Sequence, residues 1–303
     1  GVDRYFIAFI TPTREPPFTT RQLREIAPEA NVGFVAVPQL LTRRAEDFIW
    51  AVHALADLGY REVNFNLGCP AGTVTAKGKG AGFLRSPDEL ERFFASVFEK
   101  PLPISVSVKT RLGWANTAEF ERLADVFNHF PFASVTIHAR LKTDLYRGHT
   151  RLAAFREALK RLHHPVIYNG DIVTKDDALC VTQRFPDLTG IMVGRGLIAD
   201  PALFRKLRGG EPACSQEIDR FTQDLFEGYC RAWNNRKNAL MRMKEYWFLL
   251  ANLFGGDSQV CFKAICRAKT ESDYTAAVRS LLSQEMLPQA RMGWYKPLSE
   301  QDQ

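Results

Sequence analysis

The chain has 303 residues, a formal net charge of +6, 46% hydrophobic residues and six cysteines. That length suits one barrel-sized core with a smaller appendage better than two equal domains, and the positive charge suits a phosphate-bearing partner without demanding one. Apolar runs too short to span a membrane, no basic-then-apolar leader and cysteines without C-x-x-C pairs argue against membrane, zinc and disulfide-scaffold classes, so a reduced, cytoplasmic protein is expected.

The chain opens on a strand pattern over Asp3–Ile10, followed by a helix near Thr19–Glu29 with Thr19 or Thr20 as its cap. A strand over Gly33–Val37 leads into a helix over Ala45–Leu58. Within it Phe48, Ile49, Val52, Leu55, Ala56 and Leu58 recur at the roughly 3.6 spacing of one buried face. Strand Glu62–Asn66 is followed by helix Pro87–Glu99, opened by Ser86. Strand Ile104–Lys109 is followed by helix Ala118–His129, capped by Asn116 or Thr117. Three further pairs complete the series: Ser134–His138 with Arg151–Leu162, Pro165–Tyr168 with Thr174–Arg184, and Gly190–Val193 with Pro201–Arg208. Such alternation implies parallel strands joined by helical crossovers.

After Gly210-Glu211-Pro212 the alternation stops. From about Ser215 to Gln284 the pattern is helical, with Phe221, Leu225, Phe226 and Tyr229 on one face. The expected architecture is α/β, a TIM (β/α)8-type barrel over 1–212 followed by a small all-helical domain over 213–303. A doubly wound open sheet is the alternative. Polar residues just after almost every strand, rather than at one crevice, weigh against it.

Chemistry concentrates at the strand ends. Cys69 stands between Gly68 and Pro70 in Asn66-Leu67-Gly68-Cys69-Pro70, ahead of Lys77-Gly78-Lys79-Gly80-Ala81. A buried structural thiol is the bland reading, but a glycine-rich loop is a poor place for one. A thiol there can donate a proton to carbon as hydride arrives at the neighbouring carbon, with Lys77 or Lys79 influencing its acidity. Gln39, Asn66, Lys109 with Arg111, and His138 with Arg140 follow or close four consecutive strands. Their convergence offers donors to a ring rich in carbonyl and imide groups, such as a flavin or a uracil. The last two strands end in Asn169-Gly170-Asp171 and Gly194-Arg195-Gly196, where glycine lets the backbone approach a phosphate and Arg195 adds charge, as FMN would need. Arg43, Arg44, Lys77, Lys79, Arg111, Lys142 and Arg147 are expected on the same face, forming a surface able to follow RNA phosphates.

These motifs resemble the tRNA-dihydrouridine synthases. The blocks are Pro38–Leu41 (P-Q-L-L), N-L-G-C-P with K-G-K-G-A, S-V-K-T-R-L-G at Ser107–Gly113, T-I-H-A-R at Thr136–Arg140, Y-N-G-D at Tyr168–Asp171 and V-G-R-G at Val193–Gly196. The resemblance implies FMN held by Gln39, Lys109, His138, Asn169, Gly170, Asp171, Gly194 and Arg195. It implies Cys69 as proton donor to C5 of a uracil extruded from tRNA, and Asn66, Lys77, Lys79, Arg111 and Arg140 as substrate contacts. NADPH is the implied reductant, and the helical domain, with its basic stretch Arg231, Arg236, Lys237, Arg242 and Lys244, the implied tRNA-binding unit. No membrane, DNA or metal partner is implied, and oligomeric state leaves no signal.

Two departures stand out. Asn64 occupies a position where many members carry aspartate. The chain opens at Gly1-Val2-Asp3, matching the approach to the family's second strand, so only seven strands are visible and the chain is expected to be a fragment or an incomplete gene product. The competing functions are a flavin barrel reducing a free pyrimidine or small enone-like compound, and a tRNA-binding protein that has lost catalysis.

Overall fold

The computed structural model describes residues 2–14, 17–292 and 297–298. Among these residues eight strands form: β1 (Tyr5–Phe6), β2 (Ala36–Val37), β3 (Gln39–Leu40), β4 (Glu62–Asn66), β5 (Ser105–Arg111), β6 (Val135–His138), β7 (Val166–Asn169) and β8 (Gly190–Met192). All pair in parallel, β1 with β2 and then β3 through β8 in sequence order. Between and after them run α1 (Thr20–Ile26), α2 (Ala45–Asp57), α3 (Gly72–Thr75), α4 (Pro87–Val97), α5 (Glu119–Asn128), α6 (Leu152–Arg161), α7 (Lys175–Arg184), α8 (Arg195–Ala199) and α9 (Leu203–Leu207). The expected alternation is therefore present, with Thr19 and Thr174 each closing a capping box on the third residue of its helix.

β2 and β3 are one strand position divided at Pro38, whose nitrogen has no hydrogen to give the ladder. Its carbonyl still accepts from Asn64 N–H at 2.8 Å. The strand expected over Asp3–Ile10 keeps its direction but only two ladder residues. It continues as backbone contacts, with Ile7 donating to Val37 at 2.9 Å and Ile10 to Gln39 at 2.8 Å. Seven strand positions thus arc in barrel order. Among the described residues β1 and β8 are not paired with each other.

Alternation along the strands separates two environments. On β4, Val63 and Phe65 face the helices, where Phe65 stacks on Phe93 at 4.9 Å and meets Phe48 at 5.3 Å. Phe94, Phe98, Phe130 and Phe132 extend this cluster under α4 and α5. Rings packed edge-to-face at these distances add to the area they remove from water. The other face of β4 carries Glu62, Asn64 and Asn66. Barrel interiors are ordinarily filled by branched apolar side chains. Here the inward face is largely polar.

Beyond α9 come α10 (Ser215–Trp233), α11 (Arg236–Leu250), α12 (Ser258–Arg267) and α13 (Glu271–Leu282). They enclose a second apolar cluster around Trp247, whose indole N–H donates to Tyr274 Oη at 2.8 Å. Val173 and Ala199 belong to this cluster too, which ties the end of α8 to the helical layer.

Candidate active site

A cavity of about 1090 Å³ opens at the C-terminal ends of the strands and continues along the seam between β1 and β8. Cys69 lines it, half-buried, and its loop is held in two ways. Asn66 Oδ1 accepts from Gly68 N–H at 3.0 Å and Cys69 N–H at 2.9 Å, turning the chain as β4 ends. The K-G-K-G-A stretch then folds back, and Ala81 N–H donates to the Cys69 carbonyl at 3.0 Å. Gly80 adopts φ +55°, and a Cβ there would lie 2.9 Å from that carbonyl oxygen. Glycine is needed at this position on both counts.

Lys109, from β5, also lines the cavity, and its ammonium has no hydrogen-bond partner among the described residues. Burial, reinforced by the Arg111 charge and partly offset by Cys69, pulls its pKa down to about 8. His138 is held well below the ordinary histidine range by burial and by Arg111, Lys109, Arg140 and Arg195, so its imidazole is neutral. Its Nε2 lies 3.2 Å from Arg140 Nη1, which can only donate, so Nε2 accepts and Nδ1 carries the proton. Gln39 and Asn66 complete the donor group, joined by a 2.5 Å bond from Asn66 Nδ2 to Gln39 Oε1.

Arg111 and Arg140 are committed inside the protein. Arg111 donates to the carbonyls of Gly68 at 2.9 Å and of Leu141 and Leu145 at 2.8 Å. Arg140 is 1% exposed, forms a two-pronged pair with Asp171 at 2.9 and 2.5 Å, and reaches the Gly148 carbonyl at 2.7 Å. Together they fold the loop after β6 and set Tyr146 at the mouth, its ring 5.3 Å from the Arg111 guanidinium and 4.9 Å from that of Arg195. Arg111 lines the cavity and Arg140 does not. Sequence reasoning missed Tyr146, because an aromatic residue in an irregular loop carries no periodic signal.

Asn169, Gly170, Asp171, Gly194 and Arg195 all reach the cavity. Asn169 Nδ2 donates to the Met192 carbonyl at 2.8 Å, locking the ends of β7 and β8 together. Asp171, at φ +46°, turns its carboxylate back to Arg140 and stands 3.4 Å from Arg195. A Cβ on Gly196 would come within 2.1 Å of the Ile172 carbonyl oxygen, so the two glycine turns pack backbone on backbone.

Lys77 and Lys79 lie outside the cavity lining: Lys77 is exposed, and the Lys79 pKa is lowered by partial burial against the opposing pull of Asp47. Of the other cations expected on this face, Arg43 pairs with Glu89 and Arg44 with Asp47, Lys142 stands 4.3 Å from the Trp114 ring, and Arg147 is exposed. In the helical layer Arg236 bridges Glu227 and Glu271, Arg242 pairs with Glu245, and Lys244 donates to the carbonyls of Cys266 and Ala268. Arg231 and Lys237 form no ion pair among the described residues, leaving them the freest charges of that stretch.

The family model described as "Dihydrouridine synthase (Dus)" matches residues 17–254. A probable tRNA-dihydrouridine synthase of Staphylococcus aureus (strain MRSA252) is 32% identical over 186 residues, 58% of this chain and 54% of that protein. The tRNA-dihydrouridine(16) synthase of Shigella flexneri is 34% identical over 161 residues, covering 52% and 50%. That of Haemophilus influenzae is 34% identical over 230 residues, covering 74% and 72%. The chain thus spans about half the length of the first two relatives and more of the third. Among solved structures, "a variant of NCR from zymomonas mobilis" superposes with TM-score 0.44 at 16% identity over 67% of this chain and 76% of that one, a likeness too slight to bear on function. The chain belongs to the dihydrouridine synthase family. No helix among the described residues is long and apolar enough to cross a membrane.

Proposed function

We propose that this protein binds FMN in the cavity, draws on NADPH as reductant, and reduces the C5–C6 double bond of a uridine in tRNA, in the cytoplasm. The observation that carries the reading is the placement of the half-buried Cys69 thiol on the same cavity wall as the unpartnered Lys109 ammonium. An ammonium in a cavity wall without a protein acceptor is open to a ligand, and one presenting ring carbonyls or an anionic ring edge would satisfy it. The rest of the donor set agrees. Gln39 and Asn66 offer amides, neutral His138 offers Nδ1–H, and Arg195 with the backbone at Gly170 and Gly194 suits a phosphate. The acidic group in the lining near them, Asp171, is neutralised by Arg140, so an anion meets no net repulsion there.

Bound and reduced, FMN would supply a hydride to C6 of the uracil. The chain's part is then to hold the ring and deliver one proton. Cys69 gives its thiol proton to C5 and regains one from solvent, so the ring gains two hydrogens in total. Asn66 and Arg111 line the pocket while holding the loops around it, Arg140 acts from behind through the loop it holds, and Tyr146 offers an aromatic face at the mouth. Residues 1–212 would carry the flavin and 213–303 would orient the tRNA, with Lys77, Lys79, Arg147, Arg231 and Lys237 available to phosphates. Extrusion of the base is required, since a stacked base cannot present its face to a buried partner.

The deciding experiment pairs flavin binding with product analysis. Purified protein is expected to take up FMN and to form dihydrouridine in unmodified tRNA when supplied with NADPH. Cys69→Ala should retain the flavin spectrum while product formation falls by at least about 100-fold. A protein that takes up no FMN, or a Cys69→Ala variant as active as the parent, would overturn the reading.

A further inference from the structure

The polar inward face of the barrel is a hydrogen-bond chain with one direction. Ser107 Oγ–H donates to Glu62 Oε1 at 2.6 Å, Asn64 Nδ2 donates to Ser107 Oγ at 3.0 Å, and Gln39 Nε2 donates to Asn64 Oδ1 at 2.7 Å. Asn66 Nδ2 donates to Gln39 Oε1 at 2.5 Å. Asn66 Oδ1 is thereby left to accept from the backbone N–H groups of Gly68 and Cys69. Every amide in the series is used at both ends. Asn64 and Ser107 are fully buried, and Glu62 is fixed from outside by Arg4 at 2.6 Å.

The two ends set the direction independently. A carboxylate only accepts and a backbone N–H only donates, so the intervening side chains can satisfy both ends in a single arrangement. Reversing any one amide would set two donors or two acceptors face to face in a buried place, where an unsatisfied group is expensive.

We infer that Glu62, Ser107 and Asn64 are positioning residues for the cysteine loop, setting the orientation of Gln39 and Asn66 and through them the backbone at Cys69. None of the three touches the thiol, and Glu62 starts β4 at the end of the barrel remote from the loop. The inference also accounts for the departure at position 64. Asparagine and aspartate both present an acceptor to Gln39 Nε2, but only asparagine also donates to Ser107 Oγ, so only asparagine ties Gln39 to Ser107 and Glu62. In catalytic terms the inference rests on the reading of Cys69 as proton donor, but its structural content does not, and the test needs neither flavin nor tRNA.

The test is residue-resolved alkylation by iodoacetamide, read by mass spectrometry on the purified full chain. Asn64→Leu breaks the series next to Gln39; Ser107→Thr keeps the hydroxyl and with it the direction. Cys261, buried in the helical layer, is the internal reference for general loosening. Asn64→Leu is expected to raise the Cys69 rate about fivefold, the weight of one net hydrogen bond, with Cys261 unchanged and Ser107→Thr within about twofold of the parent. Should Asn64→Leu show no cooperative melt, Ser107→Ala replaces it as the breaking variant with the same expectation. An unchanged Cys69 rate, a parallel rise at Cys261, or a Ser107→Thr variant as reactive as the leucine one would each overturn the inference. A parent protein inactive on tRNA would instead count against the proposed function alone.

Discussion

Replacing Lys109 with methionine should make the flavin-free protein more stable while abolishing its flavin binding. Lys109 keeps a charged ammonium in the cavity wall without a hydrogen-bond partner among the described residues, and its pKa falls from the ordinary 10.5 to about 8. Burial is the main cause, the Arg111 charge adds to it, and Cys69 offsets part. At ~1.4 kcal/mol per unit the displacement corresponds to at most ~3.5 kcal/mol. The cavity mouth admits solvent, which screens the charge, so a gain of ~1–3 kcal/mol is expected at pH 7. Methionine preserves the apolar stem and removes the charge.

The sign follows from proton counting. The folded pKa lies below the unfolded one, so between about pH 8 and 10.5 the unfolded chain binds more protons and the parent gains stability as pH rises. Below about pH 8 the penalty on the parent is complete. The advantage of the variant should therefore be full at neutral pH and shrink through the alkaline range. Urea unfolding of both proteins at several pH values measures it, with other titrating groups cancelling in the difference. A variant less stable than the parent at neutral pH, or one whose advantage is flat with pH, would refute the reasoning.

Four further outcomes are expected. Asp171→Asn keeps a residue tolerant of φ +46° but leaves Arg140 buried without its counter-charge, at a cost of ~3 kcal/mol and a fall in melting temperature of roughly 6–12 °C by calorimetry. Glu245→Gln, which loosens the exposed pair with Arg242, should leave the melting temperature unchanged. Gly196→Ala forces a Cβ against the Ile172 carbonyl, so both thermal stability and FMN affinity should drop, the latter at least about 10-fold in a fluorescence titration. Because His138 is already neutral, its own imidazole resonances in the flavin-free protein should show no titration between about pH 6 and 7.5, and a one-proton chemical-shift step there by NMR would contradict its placement among four cations.

Much of this molecule is written locally. Period-two runs such as Glu62–Asn66 and Ser105–Arg111, with capped amphipathic helices between them, specify parallel strands and crossovers before any contact is known. Cys69, Lys109 and His138 were identifiable because chemistry collects at strand ends in such folds, and the glycines of the cysteine loop announce a backbone that must turn sharply. The alternation of Glu62, Asn64 and Asn66 is also in plain view, although their partners on other strands are not.

Other features depend on partners far apart in the chain. Arg111 and Arg140 look like free cations in sequence, but folding commits them to carbonyls and to Asp171, because a buried guanidinium must be satisfied. Most of the basic stretch in the helical layer is likewise consumed by Glu227, Glu245, Glu271 and backbone oxygens. The direction of the inward hydrogen-bond chain and the lowered acidity range of Lys109 are properties of the assembled barrel. Residue types and spacing determined the fold class and where the candidate site lies. Which charges remain free, and how the amides point, were decided by the tertiary structure, since hydrogen-bond saturation and desolvation arise only when distant strands meet.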